Sequence, residues 1–150
     1  VAADTFALDL AAFAAKAKAA PGQVAAKATI DVLAAVVDRT PVGNPDTWKN
    51  PPPPGYVGGR ARANWNASLG SPDLSVTFDI DASGAGTVAR GAARIGTDTQ
   101  GEDAYIVNSL PYIRPLEYEG HSRQAPAGMV RVTVAEWQTY VDGAVAKVAT

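Results

Sequence analysis

His121 is the one histidine of the chain, and it lies in "EYEGHSRQAP" beside Glu117, Glu119 and Ser122. Such residues could supply a general base, a metal ligand or part of a Ser-His-acid relay. A hydrolytic zinc site takes three protein ligands, and this chain has no second histidine and no cysteine to complete the usual set. The spacing of Glu117 and Glu119 matches no ligand motif. A nucleophilic serine needs a sharp turn, and G-x-S-x-G is absent. The pattern reads as an exposed loop histidine, with neither a metal nor a cofactor implied.

Asp79 and Asp81 stand two apart in "LSVTFDIDA", so a strand would put both carboxylates on one face. Paired carboxylates can do acid–base work. Here they precede a glycine turn and lack the apolar surroundings that split pKa values, so they read as a solvated face. In "GYVGGRARANW" the glycines run into Arg60 and Arg62. The Gly-Lys-Ser/Thr ending of a phosphate loop and the G-x-G-x-x-G spacing are both missing. The two arginines read as partners for carboxylates, in this chain or on a neighbour. "NAS" at 66–68 fits a glycosylation pattern, which means nothing without secretion.

The elements that must carry these residues follow from pattern. "DTFALDLAAFAAKAKAAPGQVAAKATIDVLAAVVDR" is alanine-rich and predicts helix. Asp4 or Thr5 can cap it, and Phe6, Leu10, Phe13 and Ala17 share a face. Pro21-Gly22 predicts a break or kink. Val24, Ile30, Leu33, Ala34 and Val37 continue a face until the helix ends before Pro41. Residues 40–59 are rich in proline and glycine and predict a projecting loop, stiffened by Pro51 to Pro54. Residues 74–82 alternate and predict a strand. Residues 87–96 fit either a strand or a short helix. "AYIVNS" predicts another strand, and "PYIRPLEYEG" a helical turn closed by Gly120. Val130, Val134, Trp137 and Val141 fall at helical spacing and predict a C-terminal helix. Trp65 and Trp137 read as core anchors. Trp48, in the proline loop, reads as an interface aromatic.

The chain has 150 residues, 47% of them hydrophobic and 19% charged, which suits one globular domain over 1–150 with a real core. Its net charge of −2 weighs against a dedicated nucleic-acid binder. With no cysteine there is no disulfide framework. No apolar run is long enough to span a bilayer. The first residues lack the basic start and apolar core of a signal peptide, which points to a protein made and used in the cytosol or built into something assembled there. The fold class expected is α+β: a small antiparallel sheet flanked by a long or kinked N-terminal helix and a C-terminal helix.

"RTPV" after an alanine-rich helix, then "GGRARANW", then "YIVNSLPYIRPLEYEGHSRQAPAGMVRVTVAEW" resembles the tail-completion, or neck, proteins of long-tailed bacteriophages, the Z-type minor tail components. The resemblance runs from about Phe6 to Val141. Members of that family commonly read Thr-Pro-Val-Asp-Thr-Gly-x-x-Arg-x-x-Trp without interruption. Here "GNPDTWKNPPPPGYVGG" replaces Asp-Thr-Gly, and the pattern resumes at Arg60, Arg62, Asn64 and Trp65.

The resemblance implies a non-enzymatic virion protein with a tail-terminator-like fold, forming a ring, usually of six copies, at the head-proximal end of the tail. It implies neighbours in the head-completion or stopper, tail-terminator or tail-tube proteins. Genomic DNA would pass through the lumen without sequence-specific binding, and no membrane is involved. Assembly would occur in the host cytoplasm and residence at the head–tail junction. A tail terminator or head-closure ring is the neighbouring alternative. A small hydrolase centred on Glu117, His121 and Asp79 is the competing class.

A ring subunit meets its two neighbours through different faces. The expected contact residues are Trp48, Tyr56, Arg60 and Arg62 around the proline loop, and Tyr112, Arg114, Glu117, Tyr118, Glu119, His121 and Arg123 in the second span. Pro111 and Pro115 restrict that span before docking, so less entropy is lost on binding. Tyrosine and arginine are enriched at interfaces, and the charges can set register between subunits.

Overall fold

A computed structural model describes residues 20–149. Helix α1 (Pro21–Arg39) starts on its proline, which sits in the first turn where no N–H is needed. Pro21 is therefore a helix start. The expected features before it (Asp4, Thr5, Phe6, Leu10, Phe13 and Ala17) lie outside the described residues. The helix stops at Thr40, whose extended backbone (ψ 125°) suits a residue before proline. Residues 40–59 contain only one short 3₁₀ turn (Pro45–Thr47), capped by the Asn44 side chain.

After the loop come α2 (Arg60–Ala63), β1 (Asn66–Leu69), α3 (Ala85–Ile95), β2 (Ala104–Val107), α4 (Ile113–Tyr118), α5 (Val130–Ala135) and α6 (Trp137–Val148). β1 and β2 pair antiparallel, Asn66 opposite Val107 and Leu69 opposite Ala104. The class is α+β: along the chain a long helix comes first, a two-stranded sheet follows and a helix ends it. Among the described residues, no helix is long and apolar enough to cross a membrane.

The core is built by α1, α3 and the sheet. Leu33, Val36 and Val37 of α1 meet Trp65, Ala67 of β1 and Ile95 of α3. Gly91 lets α3 close on α1, since a Cβ there would stand 2.2 Å from Leu33 Cδ2. A second cluster joins Val24 and Ala28 of α1 to Ala144 and Val145 of α6, the small alanines allowing close approach. Arg39 ties α1 to α5 and to the α5–α6 junction. It donates to Thr133 Oγ1 at 2.8 Å and pairs with Glu136 at 2.6 Å, and Glu136 also accepts from Tyr140.

Three expectations change, and one that the sequence left open is settled. Residues 74–82 form no backbone ladder, so they are not a sheet strand. Their inner contacts are taken by side chains instead: Asn64 accepts from Thr77 N–H at 2.8 Å and donates to its carbonyl at 3.0 Å, and Asn66 donates to the Ser75 carbonyl. The strand that pairs with β2 is 66–69, in the segment that sequence marked only as "NAS". Residues 87–96 fall largely in helix α3, because Gly84 and Gly96 bound it outside its interior. The C-terminal helix divides at Glu136 (φ −98°, ψ 9°), and Trp137 is 50% exposed rather than a core anchor.

The buried link between Trp65 and Thr40 decides how the loop is closed. The indole N–H donates to Thr40 Oγ1 at 2.7 Å, and that hydroxyl donates to the Val36 carbonyl at 2.7 Å. Thr40→Val removes the acceptor while keeping the shape, leaving a buried indole N–H without a partner. The expected loss is about 1–3 kcal/mol of unfolding free energy, read from the urea midpoint, with Thr40→Ser near wild type. A valine variant as stable as wild type would show that the bond contributes nothing.

Candidate interaction groove

Three segments surround one open groove of about 930 Å³. The proline loop contributes Val42, Gly43, Trp48, Tyr56 and Val57; the 74–82 segment contributes Phe78 and Ile80; the third wall is Tyr112, Leu116 and 121–124. The loop is held open by specific contacts. Trp48 and Tyr56 pack ring on ring at 4.8 Å between centroids. Gly43 lies under Tyr56, where a Cβ would be 2.0 Å from the phenol oxygen. Gln124 grips the main chain of Val42 from the opposite wall, accepting from its N–H at 3.2 Å and donating to its carbonyl at 2.9 Å.

Arg60 lies over the Phe78 ring, 4.4 Å from its centroid, and its Nε donates to the Thr77 carbonyl. This fixes a cation beside an aromatic face, where the ring quadrupole favours it. His121 and Arg123 lie on the rim. The charged side chains lining the groove are thus Arg60, Arg123 and, when protonated, His121, with no carboxylate among them. Burial pushes the Tyr112 phenol above its ordinary pKa, partly opposed by Arg60, so Tyr112 stays neutral at physiological pH.

The structure brings together six of the expected contact residues: Trp48, Tyr56, Arg60, Tyr112, His121 and Arg123. Glu119 stands outside the groove with its carboxylate 3.0 Å from His121 Nε2. Arg114 and Tyr118 form a separate outer stack, with Arg131 on the same ring. Two residues are committed to partners within the domain. Arg62 spends its guanidinium on three carbonyls within the domain, those of Thr40, Asp38 and Ala82, each at 2.8 Å. Glu117 is 5% exposed and turns inward to cap α5. Its carboxylate accepts the main-chain N–H groups of Met129, Val130 and Arg131 at 2.7–2.9 Å, satisfying donors that a helix start leaves free.

Phe78, Ile80, Leu116 and Gln124 were missed as groove residues. The alternation of 74–80 was legible, but a paired strand would have buried it differently. The candidate carboxylate pair also separates. Asp81 caps α3, accepting from Gly84 N–H, Thr87 N–H and Thr87 Oγ1, while Asp79 stays exposed. Burial pushes Asp81 up, but these donors outweigh it and hold the carboxyl below its ordinary value.

Ser122 Oγ accepts from Gln124 N–H, while His121 pairs with Glu119, so the two neighbours are turned to different partners. Among the described residues, no three His, Asp or Glu side chains converge as metal ligands. The groove offers apolar surface, aromatic rims and positive charge. Those properties suit docking of an apolar segment with acidic flanks. Comparison of the chain with protein-family profiles, curated proteins and solved structures returns no match.

Burial pushes the Glu117 carboxyl up, but the N–H groups of Arg131, Met129 and Val130 and the Arg131 side chain pull it below its ordinary 4.5. A lowered folded pKa means stability that is fully present above the unfolded value and lost as pH falls through the folded one. Glu117→Gln is expected to be less stable by about 2 kcal/mol at pH 7 and to show a flatter loss of stability below pH 4.5. Urea titrations at several pH values measure both. Parallel pH curves for variant and wild type would contradict the capping role.

Proposed function

We propose that this protein is a structural ring subunit of a bacteriophage virion, placed at the head-proximal end of the tail and joining tail to head. The observation that carries the proposal is the groove. Two proline-bearing segments far apart in sequence meet in it, and its exposed aromatics are held by ring-on-ring and cation–π contacts within the domain. A preorganised aromatic surface loses little entropy on docking and can supply the few residues that dominate an interface. The resemblance of the Thr40-Pro41-Val42 to Trp65 and 108–130 segments to neck proteins supplies the biological setting. On this proposal the protein is no enzyme and works as a homo-oligomer, hexameric by that resemblance. The same geometry serves a tail terminator or head-closure ring, and the level of the ring in the virion separates these.

The test is native mass measurement of the wild type and of Tyr112→Ala combined with Arg123→Glu. The expected result is a ring-sized wild-type particle and a variant that remains folded by circular dichroism but dissociates, with infectivity lost. Full assembly and infectivity in a well-folded double variant would contradict a docking role for the groove.

A further inference from the structure

Leu74, Val76, Phe78 and Ile80 form a row of alternate apolar residues that are 64%, 47%, 86% and 49% exposed. Their main chain is equally unusual. The segment runs antiparallel beside β1, since Asn64 reaches Thr77 and Asn66 reaches Ser75. From 74 to 81 the main-chain groups bonded across to the rest of the domain belong to odd-numbered residues: Ser75 O, Thr77 N and O, and Asp81 N, which donates to Gly59 O; the pattern ends at Ala82, whose carbonyl accepts from Arg62. Along an extended chain successive residues face opposite edges. The N–H and C=O groups of Leu74, Val76, Phe78 and Ile80 therefore face outward, and they make no hydrogen bond among the described residues.

Proteins normally guard such an edge with lysine, proline, a bulge or a covering element. Between Leu74 and Ala82 there is no lysine and no proline, and Asp79 is the only charge before Asp81 turns in to cap α3. Among the described residues the β1–β2 sheet has an open edge too. β2 pairs with β1 on one side, and no described strand lies on its other side. Among the described residues there are thus two different main-chain edges without a partner, that of 74–80 and that of β2.

We propose that the outer edge of 74–80 is a strand-addition site, and that its occupant is the outer edge of β2 from a second copy of this chain. Joining unlike edges is a heterologous contact, and it repeats from subunit to subunit until the ring closes. Self-pairing of 74–80 about a two-fold axis would satisfy one edge and leave both β2 edges open. The preference for unlike edges rests on the ring function proposed above.

The absence of cysteine makes single labels unique. Val76→Cys and Tyr105→Cys are made separately, mixed in equal amounts and treated with a short bismaleimide at a concentration where the wild type assembles. The expected result is a covalent dimer in the mixture and none from either variant alone. In parallel, Val76→Pro removes an N–H that has no partner among the described residues. It is expected to keep the circular dichroism spectrum and lose the oligomer. Dimers from Val76→Cys alone would establish two-fold pairing and overturn the proposal. So would slow, concentration-independent amide exchange at 74–80, which assigns the edge to a cover from the same chain. A wild-type ring without the mixed cross-link overturns strand addition and leaves the ring function standing. A wild type that is monomeric at every concentration and yields no cross-link overturns strand addition, and the ring function is then decided in the virion.

Discussion

The bond from the Trp65 indole to the Thr40 hydroxyl joins two positions 25 residues apart at the end of α1. Around it the Arg62 guanidinium gathers the carbonyls of Asp38, Thr40 and Ala82. A helix C-terminus leaves carbonyls without partners, and burying them unsatisfied is costly. Here one arginine and one threonine satisfy them and close the long loop at the same point. Everything in between can project without loosening the core. A tryptophan 4% exposed and a threonine fully buried leave little room for another arrangement.

The groove is a consequence of that closure. With 40 and 62 fixed to each other, the proline loop must leave and return at one place, and its aromatics gather against 112–124. Gln124 then holds the far wall to Val42. Glu117 plays the matching part in the second span. Its carboxylate starts α5 and thereby fixes the turn on which His121 and Arg123 are carried. Two residues that look like surface charges in sequence, Arg62 and Glu117, are the internal fixtures that make the surface possible.

Much of this was legible in the chain. The stop of α1 before Pro41, the irregular loop, the 104–107 strand and the turn closed by Gly120 all follow from local chemistry. What was not legible depends on partners distant in sequence. An alternating run such as 74–80 reads as a strand, but whether it pairs depends on who holds its main chain. Here Asn64 and Asn66 do, through side chains, so no ladder forms. Helical spacing at Val130, Val134 and Trp137 identified a face without saying which way it points, and it points outward. Arg62 and Glu117 were drawn to the interface by their charge alone. The signal that places them inside is the number of main-chain donors and acceptors that converge on each, which no single stretch of sequence displays.

The described residues present a buried core, an aromatic and basic groove, an exposed apolar row at 74–80 and an exposed Trp137 helix face. A heterologous assembly needs several unlike surfaces on one subunit. The most direct test of a neck-ring role is high-resolution electron microscopy of intact virions, with this fold sought in the density at the head–tail junction. The account predicts a six-fold ring at that junction, with the groove at a subunit or ring–ring contact. A junction fully explained by other chains, with no density for this fold, would contradict it.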